Sequence, residues 1–384
     1  MDLLLLICEH ALPVPGINPT TSRYTSPLAP MHFQLVCKRF RSTALLVPYL
    51  WACVDDRMSV DRMRMQMSRC ANYVGDVGFQ ISYRRTPASG PCKCAQWRLI
   101  ASNKSRWTSA YVRLNVVYLP SATTPYARHD CLQTLHGLHL PRLASLYADF
   151  DGSSDAPIRE SIGWTMPCLE NFTCTSDVAL LLPRASPLKT LTFSPPELSS
   201  STRASLRYPL LLCFLRTPTA SNLTHITLDF SKRLGFGHAL HVPWMSKFED
   251  VVVLEGVRNM SLDISCIFDE EGTGVNWDPV FAVLSYLYLH SLENVRVRCS
   301  TKLALMSVEA DVRVWGWLKA VRDNAAGSLQ RVEVVVLLRD EDGETKNDVY
   351  EDVMFRLQEV FTEGERGKTV EFSVEIEVFS TING

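Results

Sequence analysis

A chain of 384 residues with 46% hydrophobic and 21% charged residues and a formal net charge of -2 is too long for one ordinary core and too apolar to be largely disordered. It reads as two domains or one elongated array. The charge balance excludes a general attraction to nucleic acid or anionic lipid, and no apolar run approaches the ~20 residues that cross a bilayer.

In chain order, residues 2–11, DLLLLICEHA, predict a short helix with Asp2 near its amino end and Leu3, Leu4, Ile7 and Ala11 on one face. The stretch lacks a basic leading region, and Cys8, Glu9 and His10 break its apolar run, so it does not read as a secretory signal. Twelve cysteines without a C-x-x-C pair then suit free thiols in a reducing compartment, and the expected location is cytoplasmic and/or nuclear. Pro13 to Pro30, rich in Pro, Ser and Thr, predicts an extended loop insertion.

Helical spacing resumes in LVCKRFRSTALLVPYLW, where Val36, Phe40, Ala44 and Val47 share a face and Pro48 ends the helix. Leu50 and Trp51 follow with no helix left to bury them, so they must fold back on neighbours or meet another protein.

The order LLLLICEHA, loop, LVCKRFRSTALLVPYLW, then DRMRMQMSRCA resembles the F-box proteins abundant in mushroom-forming fungi, with their Val-Cys-(Arg/Lys)-x-(Trp/Phe)-Arg helix followed by Pro-x-Leu-Trp. The resemblance implies a small all-α module over residues 1–71 that docks on a Skp-family adaptor within a cullin-RING ubiquitin ligase. By position it implies adaptor contacts from Leu3, Leu4, Ile7, Val36, Cys37, Phe40, Pro48, Leu50 and Trp51. The Leu-Pro pair that opens most F-boxes is missing here, which leaves a second reading open: a scaffold whose F-box no longer docks.

Residues 72–106, including the basic ISYRRTPASGPCKCAQWR, read as a connecting segment. Beyond it, LASLYADF, LENFTCT, LKTLTFS, LTHITLDF, VRNMSLDI, LENVRVRC and LQRVEVVV each fit apolar-x-x-apolar-x-apolar, and most follow a turn residue. From Leu188 these segments begin at 188, 223, 257, 292 and 329, in steps of 35, 34, 35 and 37. Helical patterns lie between them, with Asp278-Pro279 and Asp348 as expected amino-terminal caps. A strand-helix unit of that length cannot bury its apolar side alone, so the units should stack with parallel strands. The expected fold is α/β: the helical module, then a leucine-rich-repeat-like solenoid over residues 107–384, ending in TVEFSVEIEVF as a strand with one wet face. A mixed α/β domain without true repetition is the alternative.

Chemistry-bearing motifs are sparse, and no phosphate-binding or nucleophile-elbow pattern occurs. His129, Cys131, His136 and His139 are ligand types close together, and Asp149, Asp151, Ser153, Asp155 and Glu160 faintly echo a calcium loop. The His and Cys residues lack the tight pairs of zinc sites, and in the second run Ser154 stands where the calcium loop needs its glycine and Pro157 interrupts it, so no metal or cofactor is expected. The expected function is non-enzymatic: an SCF-type ligase subunit that holds the adaptor at its front and an unknown protein substrate on its repeat face, with no nucleic-acid or membrane partner. Thr227, Asp229, Arg296 and Arg298 alternate with buried neighbours and are the candidate substrate contacts.

Overall fold

The computed structural model describes residues 36–47, 51–55, 58–71, 78–85, 94–115, 137–151, 164–174, 186–194, 211–231, 251–265, 278–301, 304, 308–325, 327–339, 345–362 and 370–379. The helix expected at 2–11, the loop 13–30, Pro48 and Leu50 lie outside them. The protein is α/β with extensive parallel pairing, and its chain divides into two compact units: residues 1–172 with 180–187, and 173–179 with 188–384.

In the first unit, α1 (Lys38–Leu46) is capped by Cys37, whose Sγ accepts from the Phe40 N–H at 3.5 Å. The chain turns through Trp51 into β1 (Cys53–Asp55), then α2 (Val60–Ala71), β2 (Phe79–Arg85), α3 (Cys94–Ser102), β3 (Trp107–Asn115) and β4 (Ser145–Asp151). β1 pairs with β2, β2 with β3 and β3 with β4, all parallel. Chain order and strand order coincide because a helix or loop carries the chain back between strands.

Two indoles close this unit's helices. Trp51 is fully buried and its Nε1 donates to Ala44 O at 2.9 Å, satisfying a carbonyl at the end of α1. Trp107 does the same for Ile100 O of α3 at 3.2 Å, and its ring meets Trp97 edge-on at 6.1 Å. The Arg69 guanidinium lies 4.0 Å from the centre of the Trp51 ring. Met58, Met63 and Met67 are buried here as packing residues.

The expected boundaries therefore change. β1 falls inside the segment read as purely helical, and β2 and α3 fall inside the segment read as a connector. β1 is only three residues long, and β2 sits in a stretch that ends in basic residues, so neither announces a strand in the sequence; parallel neighbours supply the hydrogen bonds that make them strands.

In the second unit, β6 (Thr190–Phe193), β7 (His225–Asp229), β9 (Asn259–Ile264), β11 (Asn294–Ser300), β12 (Arg331–Arg339) and β13 (Glu371–Phe379) again pair in chain order and in parallel. β5 (Asn171–Cys174) straddles the boundary. β8 (Val252–Val253) and β10 (Leu287–Tyr288) form a separate parallel pair.

The seven apolar-x-x-apolar-x-apolar segments all supply strands, and their leading residues Leu143, Leu169, Leu188, Leu223, Val257, Leu292 and Leu329 are all buried. In the second unit Ile226, Met260, Val295 and Val332 stand side by side in register and are buried, as are Leu228, Leu262, Val297 and Val334. Each such side chain contributes about 1.5–3 kcal/mol, against about 0–1 kcal/mol for an exposed ion pair, so these apolar rows dominate the unit's stability.

Between the strands lie α4 (Asp278–Ser285), α5 (Val308–Asn324) and α6 (Lys346–Thr362). α4 is shorter than its apolar run suggested, because Leu287 and Tyr288 leave it to pair with β8. α6 begins earlier than expected: Thr345 Oγ1 accepts from the Asp348 N–H at 3.2 Å and its hydroxyl donates to the Asp348 carboxylate at 2.7 Å, so Thr345 and not Asp348 is the cap.

Candidate functional site: a polar strand face in the second unit

One backbone device recurs at the start of successive strands. Lys189 O accepts from both Thr224 N and His225 N, Thr224 O from Arg258 N and Asn259 N, Arg258 O from Glu293 N and Asn294 N, and Glu293 O from Gln330 N and Arg331 N. Each shared carbonyl sets the register of the next strand, so His225, Asn259, Asn294 and Arg331 come into one row.

Side-chain bonds run along that row. Asn294 Nδ2 donates to Asn259 Oδ1 at 2.8 Å, and Asn259 Nδ2 lies 2.9 Å from His225 Nε2. Since the Asn259 oxygen is already accepting, its amide nitrogen is the donor and His225 Nε2 the acceptor. The His225 proton then sits on Nδ1, 2.8 Å from Thr224 Oγ1, whose hydroxyl donates to Lys189 O at 3.2 Å. The result is a directed chain of donors with one consistent sense.

This row borders two openings. One, of about 240 Å³, is lined by His225, Asn259, Asn294, Arg296, Arg331 and Glu333 among others. The second, of about 830 Å³, reaches over the preceding turns and includes Glu255, Arg258, His290 and Glu293. Arg258 lies 3.7 Å from Glu293 and Arg296 3.6 Å from Glu333, so acidic and basic groups alternate along the strand starts. Such a surface offers hydrogen bonds and charges of both signs to a polar partner.

Further along the strands, Asp229, Asp263 and Arg298 share a row. Asp229 accepts from Ser194 Oγ at 3.0 Å and from the Ser231 amide and hydroxyl. Asp263 accepts from the Ser265 amide and hydroxyl in the same way, so Asp-x-Ser closes both strand ends. Burial pushes the Asp263 carboxyl above its ordinary range; the Ser265 bonds oppose this, the neighbouring Asp229 charge adds to it, and Arg298 at 3.6 Å opposes it. Arg298 also reaches Glu377 of β13 at 2.6 Å.

All four expected substrate contacts thus lie on this strand face, Thr227 and Arg296 in one row, Asp229 and Arg298 in the next. Asp229 and Arg298 are engaged by other side chains and Arg296 lies near Glu333, but Arg296 is exposed at the opening. The reading missed His225, Asn259, Asn294, Arg331 and Glu333. A signal was present: asparagine recurs two residues after the leading apolar residue in LENF, VRNM and LENV.

Of the expected adaptor contacts, Val36 is 63% exposed, Cys37 is exposed and Phe40 half-buried, so they form an accessible edge at the start of α1. Trp51 is a correction. With no exposed area and its indole bonded to Ala44 O, it holds α1 to the turn and offers nothing to a partner. Leu3, Leu4 and Ile7 lie outside the described residues, as do His129, Cys131 and His136. His139 Nδ1 lies 2.9 Å from Thr165 Oγ1. Among the described residues no group of three or more His, Cys, Asp and Glu is disposed to hold a metal ion, and no helix is long and apolar enough to cross a membrane. The chain matches no family model, no curated protein and no solved structure.

Proposed function

We propose that this chain is the non-catalytic substrate-recognition subunit of an SCF-type cullin-RING ubiquitin ligase. An F-box-like amino-terminal module holds a Skp-family adaptor, and a leucine-rich-repeat-like solenoid presents the polar strand face to a protein substrate. The observation that carries this reading is the succession of the F-box-like sequence Leu35 to Trp51, which contains α1, and parallel strands paired in chain order within each unit. The accessible Val36, Cys37 and Phe40 suit an adaptor contact, and the row from His225 to Arg331 suits a polar client. The mechanism is proximity: tethering a client beside a charged conjugating enzyme raises its effective concentration, and this chain performs no chemistry.

Retention on an immobilised Skp-family adaptor tests the first half. Val36→Asp should lower retention by about tenfold or more while leaving the melting temperature unchanged, because Val36 is exposed. The burial of Trp51, one of the expected adaptor contacts, favours a second reading, a repeat scaffold without adaptor docking. Absence of retention, or retention indifferent to Val36→Asp and Phe40→Ala, would select it.

A further inference from the structure

β13 is the last described strand, and among the described residues its hydrogen-bonded neighbour is β12 alone. Glu371 N donates to Gln330 O at 2.8 Å, so Glu371 turns its backbone polar groups towards β12. By alternation the N–H and C=O groups of Phe372, Val374, Ile376 and Val378 point to the opposite edge. Along Glu371–Phe379 no proline, lysine or bulge interrupts that edge.

The two sides of the strand specify what it would accept. Phe372, Val374 and Ile376 are only half-buried and Val378 is 38% exposed, although their register partners Val332, Val334, Val336 and Leu338 on β12 are buried. The apolar row is therefore covered on one flank and open on the other. On the opposite side Glu371 and Glu375 are exposed, while Glu377 is held by Arg298. A second copy of this chain is a poor occupant, because two antiparallel β13 strands would set glutamates beside glutamates.

We propose that the open edge of β13 binds an extended segment of a partner protein by strand addition, and that this segment alternates Lys or Arg with apolar residues. Its backbone pairs with the outward groups of Phe372, Val374 and Ile376, its cations face Glu371 and Glu375, and its apolar side chains extend the row begun by Val332 and Phe372. Glu371 is the register partner of Arg331, so the polar side of this edge continues the row that begins at His225; strand addition here does not require that the chain dock a ligase adaptor.

The full chain is titrated, by fluorescence anisotropy, with a short peptide alternating Lys and Val, with its Glu-Val counterpart, and with two Lys-Val forms N-methylated on one or the other alternate set of backbone nitrogens. The Lys-Val peptide binds, the Glu-Val peptide binds about tenfold or more weakly, and one methylated form loses binding while the other keeps it, because a strand uses one edge. In the double variant Glu371→Lys, Glu375→Lys the charge preference reverses. No binding, equal binding of both charge types, equal tolerance of the two methylated forms, or an unchanged preference in the variant overturns the proposal. So does a dimer of the free chain that Ile376→Pro dissolves, since the edge would then belong to a second copy.

Discussion

Cys299 and Cys37 carry the same thiol in opposite settings. Cys299 sits in the apolar row of β11, where burial pushes its pKa up to about 12 with the Asp263 charge adding to the shift. Cys70 on α2 is raised to about 11 by burial, with Arg106 opposing. Cys37, Cys168 and Cys213 are exposed. A thiolate is the reactive form, so iodoacetamide at neutral pH should modify Cys37, Cys168 and Cys213 before Cys70 and Cys299, which it should reach only in denaturant. Peptide mass mapping checks this; early labelling of Cys299 would mean that β11 opens readily. The alternation of VRVRCS already marked Cys299 as a buried strand residue. The partners of Arg298 were not legible, because Asp263 and Glu377 come from strands 35 residues before it in register and 79 residues after it in sequence.

At the scale of elements, the turns hold the strands in place. Gly256 precedes β9, and a Cβ there would stand 2.8 Å from Leu223 O and 3.2 Å from Ser221 O, both backbone atoms with little room to move. Gly256→Ala should therefore destabilise by about 1–3 kcal/mol in urea unfolding, with the midpoint falling and the slope unchanged. An unchanged midpoint would show that the turn before β9 shifts freely. Strand positions were legible because three apolar residues with a leading turn residue repeat in each. Helix ends were less so: Leu287 and Tyr288 look helical in VFAVLSYLYLH, and their pairing with Val252 and Val253 decides otherwise. The two tryptophan caps were equally hidden, since an indole bond to a carbonyl seven residues earlier leaves no periodic trace.

At the scale of the whole molecule, stability follows the number of neighbours each strand has. β11 lies between β9 and β12, while β13 has one described neighbour. Leu292→Ala, at a fully buried position leading into β11, should cost about 2–5 kcal/mol. Val378→Ala, at an exposed position on β13, should cost about 1 kcal/mol or less. Urea unfolding of the two variants compares them directly; equal costs would mean that the edge of β13 is covered in solution.

The amino-acid order by itself determined which segments become the later strands and which of their side chains are buried, because a two-residue alternation and a turn residue act within a few positions. It also determined that the steps between the apolar segments from Leu188 onward recur near 35 residues. Tertiary structure alone decided that β1 and β2 are strands, that Trp51 is a core residue, and that His225, Asn259 and Asn294 form one bonded row. The reason is physical: these features depend on hydrogen bonds between residues far apart in the chain, and such bonds form only once parallel neighbours have set their register.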